Sequence, residues 1–287
     1  MDIGIGIPNT VPGATGAQLL DWARRAEDAG FSSLATIGAV SYPGYEELTV
    51  LAAASAVTER IRLMPNVLIG PTRAAAELAK QAASVDQLSG GRLVLGLGIG
   101  WRAADYVLTG RDFRIRGRRF DEQLRDLQRA WAGEPLVDGT REVAPPPVQQ
   151  PAVPLMLGGT SDASVRRIVE FGRGWTAGGL PPDATRGMNE KVQSAWSEAG
   201  KDGRARIVAL AYFSLGDTEQ VSRHALVDYY KAMSSEIAEM IAGSALRSPD
   251  AIDGAIEAYA DAGVDEFILN PTVPDPDQVD LLAEVVF

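Results

Sequence analysis

Cysteine is absent and histidine occurs once, at position 224. No disulfide, thiolate nucleophile or Cys-ligated zinc or iron–sulfur cluster can therefore form, and a His-rich metal site is impossible. A Ser-His-Asp triad would have a single possible base, His224. No metal is expected. Basic residues are outnumbered, 27 Lys and Arg against 38 Asp and Glu, for a formal net charge of −11. Nucleic acid and anionic membrane both require a basic footprint, so neither is an expected partner. No stretch reaches the roughly 18 apolar residues of a membrane span. The opening segment, MDIGIGIPNT, has neither a basic n-region nor a long apolar run. These absences predict a soluble, cytoplasmic protein. What is present is ordinary for a globular chain: 287 residues, 46% hydrophobic and 23% charged, enough to bury a sizeable core and within the range that α/β barrels occupy as one domain.

Short apolar runs alternate with longer helical patterns, the signature of a parallel sheet with crossover helices. Eight runs read as strands: Ile3 to Ile7, Ser33 to Ile37, Arg62 to Ile69, Leu93 to Ile99, Pro154 to Leu157, Gly174 to Ala177, Ile207 to Leu215, and Glu266 to Asn270. Their nearly continuous apolar character fits strands covered on both faces. Helix ends are legible between them. Gly30 closes a helix from about Gly16, another runs from Thr72 to the Gly90-Gly91 pair, and Phe120, Leu124, Leu127 and Trp131 form one stripe. Ser248-Pro249-Asp250 starts a helix that Gly263 ends. Eight strand–helix units predict a (β/α)8 TIM barrel over residues 1–287 as a single domain, with an open doubly wound sheet as the alternative. The Pro-rich stretch Gly139 to Pro154 and the helical excursion Asp217 to Gly263 read as short insertions.

Two glycine segments carry the functional signal. Gly96-Leu97-Gly98-Ile99-Gly100-Trp101 has the spacing G-x-G-x-G inside a strand, not the G-x-G-x-x-G of a dinucleotide turn. Missing Cβ atoms there either admit a flat ring or let strands pack closely. Leu157-Gly158-Gly159-Thr160-Ser161 runs from a strand into a helix, where free N–H groups and the helix dipole could cradle a phosphate. A capped helix start is the plainer alternative. Gly178-Gly179 ends the next strand on the same face.

Taken with Ala29-Gly30-Phe31, Val57-Thr58-Glu59-Arg60-Ile61-Arg62-Leu63, Leu88-Ser89-Gly90-Gly91-Arg92-Leu93, Arg119-Phe120-Asp121-Glu122 and Gly263-Val264-Asp265-Glu266-Phe267, these segments give a sequence that resembles the bacterial luciferase-like family of flavin-dependent oxidoreductases. They span essentially the whole chain in the right order. The resemblance implies a (β/α)8 barrel that uses FMN or the deazaflavin F420, leaning to F420, acts on a small-molecule substrate and works as a homodimer. It implies a non-proline cis peptide at Asn66-Val67 against the ring, a pocket wall of Gly98, Gly100 and Trp101, and a phosphate loop of Gly158, Gly159 and Thr160 beside Ala177, Gly178 and Gly179. Two departures stand out. Where many members carry an acidic-His pair after the second strand, this chain has Thr36-Ile37-Gly38-Ala39, and where sugar-phosphate dehydrogenases of the family place a Glu it has Trp101.

With those acid–base groups missing, Tyr42, Tyr45 and Glu46 become the expected catalytic residues, because they follow the second strand at the rim where barrel sites are built. Loop packing and a helix first turn are the alternative for them. Arg111, Arg114, Arg116, Arg118 and Arg119 form a basic cluster that either attracts an anionic group or pairs with surplus acids. His224 is expected on a helix away from the chemistry. The function expected is hydride transfer to, or oxygenation of, a small organic molecule. A non-catalytic flavin-binding barrel and a flavin-independent phosphate-binding lyase or isomerase are the rivals.

Overall fold

The computed structural model describes residues 1–287. Nine parallel strands form one sheet: β1 (Asp2–Gly6), β2 (Ser33–Thr36), β3 (Arg62–Pro65), β4 (Leu68–Ile69), β5 (Leu95–Gly98), β6 (Leu155–Gly158), β7 (Gly174–Thr176), β8 (Arg206–Phe213) and β9 (Glu266–Pro271). Their order is β3-β2-β1-β9-β8-β7-β6-β5-β4. The ring closes because β3 and β4 are two halves of one barrel strand. β3 pairs with β2 and β4 with β5, while the Leu63 amide donates to the Arg92 carbonyl (3.0 Å) and the Val94 amide to the Leu63 carbonyl (2.9 Å). The continuous strand expected over Arg62 to Ile69 is therefore interrupted, at a cis Asn66-Val67 peptide.

The helices are α1 (Gly16–Ala29), α2 (Glu47–Ser55), α3 (Ala75–Leu88), α4 (Ala103–Leu108), α5 (Arg116–Trp131), α6 (Asp162–Phe171), α7 (Pro182–Glu198), α8 (Glu219–Tyr230), α9 (Ser235–Gly243), α10 (Pro249–Asp261) and α11 (Asp277–Val286). Local chemistry sets their ends. Thr15 and Gln18 make a reciprocal capping box on α1, and Gly30 takes φ +94° at its other end. α3 starts three residues later than the pattern suggests, since Thr72 closes a 3-10 turn by donating to the Ile69 carbonyl (2.7 Å). Ser248 caps α10 as read, accepting from the Ala251 amide.

Strand alternation divides the apolar residues into two cores. One face of each strand, with Ile5, Leu34, Leu63, Leu97, Leu157, Trp175 and Phe267, packs under the helices. The other fills the barrel with Ala35, Met64, Met156, Val208, Leu210, Tyr212 and Ile268. Each fully buried Leu or Ile contributes roughly 1.5–3 kcal/mol. Leu226 of α8 and Ala242 of α9 join this inner set, so the late helical excursion folds down over the C-terminal mouth of the barrel. The Pro-rich stretch is tied to the body by Asp86, which accepts from the Val148 and Gln149 amides and from the Gln149 side chain.

Candidate active site at the barrel mouth

At the C-terminal end of the strands the inward positions are small or polar. The three glycines of the β5 segment each face a residue of the broken third strand. A Cβ on Gly96 would lie 2.0 Å from the Pro65 carbonyl oxygen, one on Gly98 2.8 Å from Val67 Cγ2, and one on Gly100 2.9 Å from Ile69 Cγ2. The space a Cβ would take at Gly98 and Gly100 is thus filled by the broken third strand, and close packing requires glycine there. Gly158 differs, because a Cβ there would make only ordinary contacts, 3.6 Å to Thr176 and 3.7 Å to Val67.

Two buried asparagines flank this layer. Asn66 Oδ1 accepts from Thr176 Oγ1 (2.7 Å), and Asn66 Nδ2 has no partner. Asn270, at the end of β9, sits over Gly6, where a Cβ would come within 2.1 Å of its Oδ1, and its Nδ2 is also unpartnered. Both residues are almost wholly buried, 5% and 2% exposed. An unmade hydrogen bond at such a donor costs about 1–3 kcal/mol, so two of them at one mouth mark a place where acceptor atoms belong.

The end of α8 brings an aromatic cluster over the mouth. The Tyr212 and Tyr230 hydroxyls are 2.6 Å apart, Tyr230 stacks near Trp101, and Tyr229 packs edge-on to Tyr42 and Tyr230. The buried guanidinium of Arg102 lies over the rings of Trp101 (4.7 Å), Tyr229 (4.8 Å) and Tyr42 (5.5 Å), and donates to the Tyr229 carbonyl. Tyr42 donates to Asp228 Oδ2 (2.8 Å), tying the loop after β2 to α8. Burial first, and then the Asp228 carboxylate, push the Tyr42 hydroxyl well above the usual phenol range. Burial does the same for Tyr212 and Tyr229, so these hydroxyls stay protonated and neutral.

Beside this cluster opens a cavity of about 350 Å³, walled by Ala39, Tyr42, Tyr45, Glu46, Glu47 and Arg73 among others. Arg73 Nη2 donates to Glu47 Oε2 (2.8 Å) and reaches Glu46 Oε1 (2.9 Å), while Arg73 Nε is buried without a partner. The two carboxyls respond differently. Burial raises Glu46, but hydrogen bonds from Thr49, the Arg73 charge and the Leu48 amide outweigh it and hold Glu46 below its ordinary value. Glu47 is only 3% exposed, and burial, incompletely offset by Arg73, pushes it up to about 7.

The expected site residues are placed as follows. Tyr42, Tyr45 and Glu46 all border the cavity. Tyr45 is 44% exposed and donates to the Ala14 carbonyl, away from the barrel axis. Glu46 is the N-cap of α2 and accepts from the Leu48 and Thr49 amides. Gly159 has φ +111° and a Cβ there would meet Ser164 Oγ at 2.4 Å, so the local backbone itself requires glycine. Thr160 is exposed before α6, whose cap is Ser161. Gly178, at φ +59°, has open space where its side chain would be, and it lies beside the β6 loop because Gly158 pairs with Thr176. Ala177, next to Thr176, packs its side chain into the outer core. Trp101 stacks on Tyr230 at 37% exposure.

Of the arginine cluster, Arg114 pairs with Asp112 (3.3 Å) and Arg118 approaches Glu122 (3.8 Å), while Arg116 lies over the Phe113 ring. His224 is exposed on α8. Glu47, Asn270, Arg102, Tyr229 and Tyr230 escaped the sequence reading. For Glu47 the available signal was a second acid beside a residue already suspected. No group of His, Asp and Glu could hold a metal ion, and no helix is long and apolar enough to cross a membrane.

The luciferase-like monooxygenase family model matches residues 1–285, and the chain belongs to that family. An uncharacterized protein of Mycobacterium tuberculosis is 29% identical over 236 residues, 72% of this chain and 81% of its own. An FMNH(2)-dependent dimethylsulfone monooxygenase of Pseudomonas putida is 26% identical over 230 residues, 76% of this chain and 58% of its own. The structure of an F420-dependent secondary alcohol dehydrogenase in complex with an F420-acetone adduct superposes with a TM-score of 0.80 at 18% identity, covering 99% of this chain and 98% of that one. At that identity the likeness shows the shared fold.

Proposed function

We propose that the protein is an oxidoreductase that uses F420 or FMN to transfer a hydride to, or oxygenate, a small organic substrate at the barrel mouth. The observation that carries this reading is the pair of buried, unpartnered amide groups, Asn66 Nδ2 and Asn270 Nδ2, at the C-terminal mouth of the barrel. They suit a flat heteroaromatic group rich in carbonyl and ring-nitrogen acceptors. The family includes relatives named for FMN and for F420, and both ring systems have that character. When bound, such a group supplies two-electron chemistry, and the protein's task is orientation and exclusion of water.

In this reading Asn66, Val67 and Asn270 hold the ring, and the N–H groups at Gly158, Gly159 and Thr160, with Gly178 and Gly179 beside them, hold the phosphate. The wall of Trp101, Tyr229 and Tyr230 excludes solvent, and Tyr42 orients the substrate by its hydroxyl. The protein works in the cytoplasm, as one barrel domain per chain paired in a homodimer. The test is titration of purified protein with FMN and F420, each oxidised and reduced, followed by absorbance and fluorescence. One cofactor is expected to saturate, and Asn270→Ala should weaken it roughly tenfold, the worth of one hydrogen bond, while leaving the unfolding midpoint nearly unchanged. Binding of neither cofactor, or equal binding by the variant, removes the assignment.

A further inference from the structure

The cavity beside the mouth is walled by two acids and one cation, yet the three groups are not equivalent. One arginine nitrogen, Arg73 Nη2, serves both Glu46 and Glu47. Glu46 is also bound by the Thr49 hydroxyl (2.6 Å), the Thr49 amide (2.7 Å) and the Leu48 amide (3.2 Å) at the start of α2. Glu47 has no comparable set, and its side chain is buried among Gly38, Arg73 and the cavity. A Cβ on Gly38 would lie 2.8 Å from Glu47 Oε1 and 2.5 Å from the Val67 carbonyl oxygen. The carboxyl therefore occupies the space that a side chain at position 38 would need, directly beside the cis Asn66-Val67 segment. Glycine at 38 is what admits it.

We infer that Glu47 is the proton-exchanging residue of the mouth: its carboxyl gives a proton to a ligand atom that gains negative charge in the cavity and recovers it from solvent through the same opening. This deepens the oxidoreductase reading and rests on it. In the step, the carboxylic O–H bond breaks, an O–H or N–H bond forms on the ligand, and the electron pair of the broken bond stays on the carboxylate. The electrons that reduce the ligand come from a reduced flavin or deazaflavin. Arg73, already 2.8 Å away, then neutralises the new carboxylate.

The charged and titratable groups facing Glu47 are Arg73 and Glu46, with Tyr42 on the same cavity wall and Tyr229 donating to the Gly38 carbonyl (3.3 Å). Both tyrosines are held neutral, which leaves Arg73 and Glu46 to set the balance. With Glu46 ionised and taking part of the arginine's charge, burial keeps the proton on Glu47 up to about pH 7.

Infrared spectroscopy of the ligand-free protein tests the proton itself. A protonated-carboxyl stretch should titrate near neutral pH in the wild type, vanish in Glu47→Gln, and move to lower pH in Glu46→Gln, where Arg73 serves Glu47 alone. A wild type without the band, or a band that survives Glu47→Gln, overturns the inference. The second measurement loads whichever of FMN and F420 binds, in reduced form, and follows its oxidation by cyclohexanone or by dioxygen against pH. The wild-type rate should fall above about pH 7, and Glu47→Gln should be about 10²-fold slower with no such limb and unchanged cofactor affinity. A variant that keeps both the rate and the limb overturns the inference. Should neither cofactor bind, the oxidoreductase reading falls, while the infrared titration still decides whether Glu47 holds a proton.

Discussion

Each end of the barrel buries one glutamate, to the same 3% exposure, and the two carboxyls are shifted in opposite directions. At the N-terminal end Glu266 accepts from Ser32 Oγ (2.6 Å) and Arg206 Nη2 (3.0 Å), with Arg62 at 3.5 Å and Asp2 bridging both arginines. Burial raises it, but these hydrogen bonds and charges win and hold it below the ordinary carboxylate value. At the C-terminal end Glu47 divides one arginine nitrogen with Glu46 and is pushed up to about 7. Burial alone therefore does not decide the charge of a buried acid. The number of donors committed to it does. The closed end satisfies its carboxylate. The mouth leaves two asparagine amides without partners and divides one arginine nitrogen between two carboxyls, which is where a ligand has something to contribute.

The largest effect expected from breaking this contrast is at the closed end. Glu266→Gln should destabilise the fold by about 3 kcal/mol at neutral pH in urea unfolding, the low end for a broken buried pair because Arg62 and Arg206 are about 40% exposed and partly solvated. A loss below ~1 kcal/mol would mean that the network contributes little.

Glu47→Gln should act in the opposite sense and only in a pH window. The folded value of about 7 lies above the unfolded 4.5, so the protonated acid's stabilising contribution is complete below pH 4.5 and disappears as pH rises through 7. At ~1.4 kcal/mol per unit that is about 3 kcal/mol at most. The variant should match the wild type at pH 4 and exceed its stability at pH 8, read as a shift of the urea midpoint at constant slope. Glu266, lowered in the fold, loses its contribution as pH falls instead. Parallel pH profiles for the two glutamines would refute the contrast.

Smaller effects separate two contacts of α8. Tyr42→Phe removes the hydrogen bond to Asp228 and should cost about 1 kcal/mol, with turnover lowered as well. His224→Ala, exposed one turn before Asp228 on the same helix, should stay within about 0.5 kcal/mol and retain turnover. Kinetics in which His224→Ala abolishes turnover while Tyr42→Phe leaves it intact would reverse the assignment.

Much of the fold was legible because its cause is local. Near-continuous apolar runs, capping residues such as Thr15 and Ser248, and glycines such as Gly30 and Gly263 fix strands and helix ends within a few residues of themselves. The eight-unit count followed from order along the chain, and the family and the cis Asn66-Val67 peptide from the resemblance that the quoted segments carry. The site was legible only in outline. The run Gly96, Gly98, Gly100 announces missing Cβ atoms, but what fills their space is Pro65, Val67 and Ile69, a matter of how a broken strand sits on its neighbour.

Glu46 and Glu47 are adjacent identical residues, and nothing local distinguishes them. Their opposite shifts arise because a helix start directs one to amide donors and the other into a cavity shared with Arg73, 26 positions away. Asn66 is likewise left with a free donor because its other end meets Thr176 across the barrel, 110 residues on. Sequence by itself determined which residues are apolar, where the backbone turns and how many strand–helix units follow one another. Tertiary structure alone decided which polar groups lost water without gaining a partner, because desolvation depends on neighbours that chain closure brings together and that no local pattern encodes.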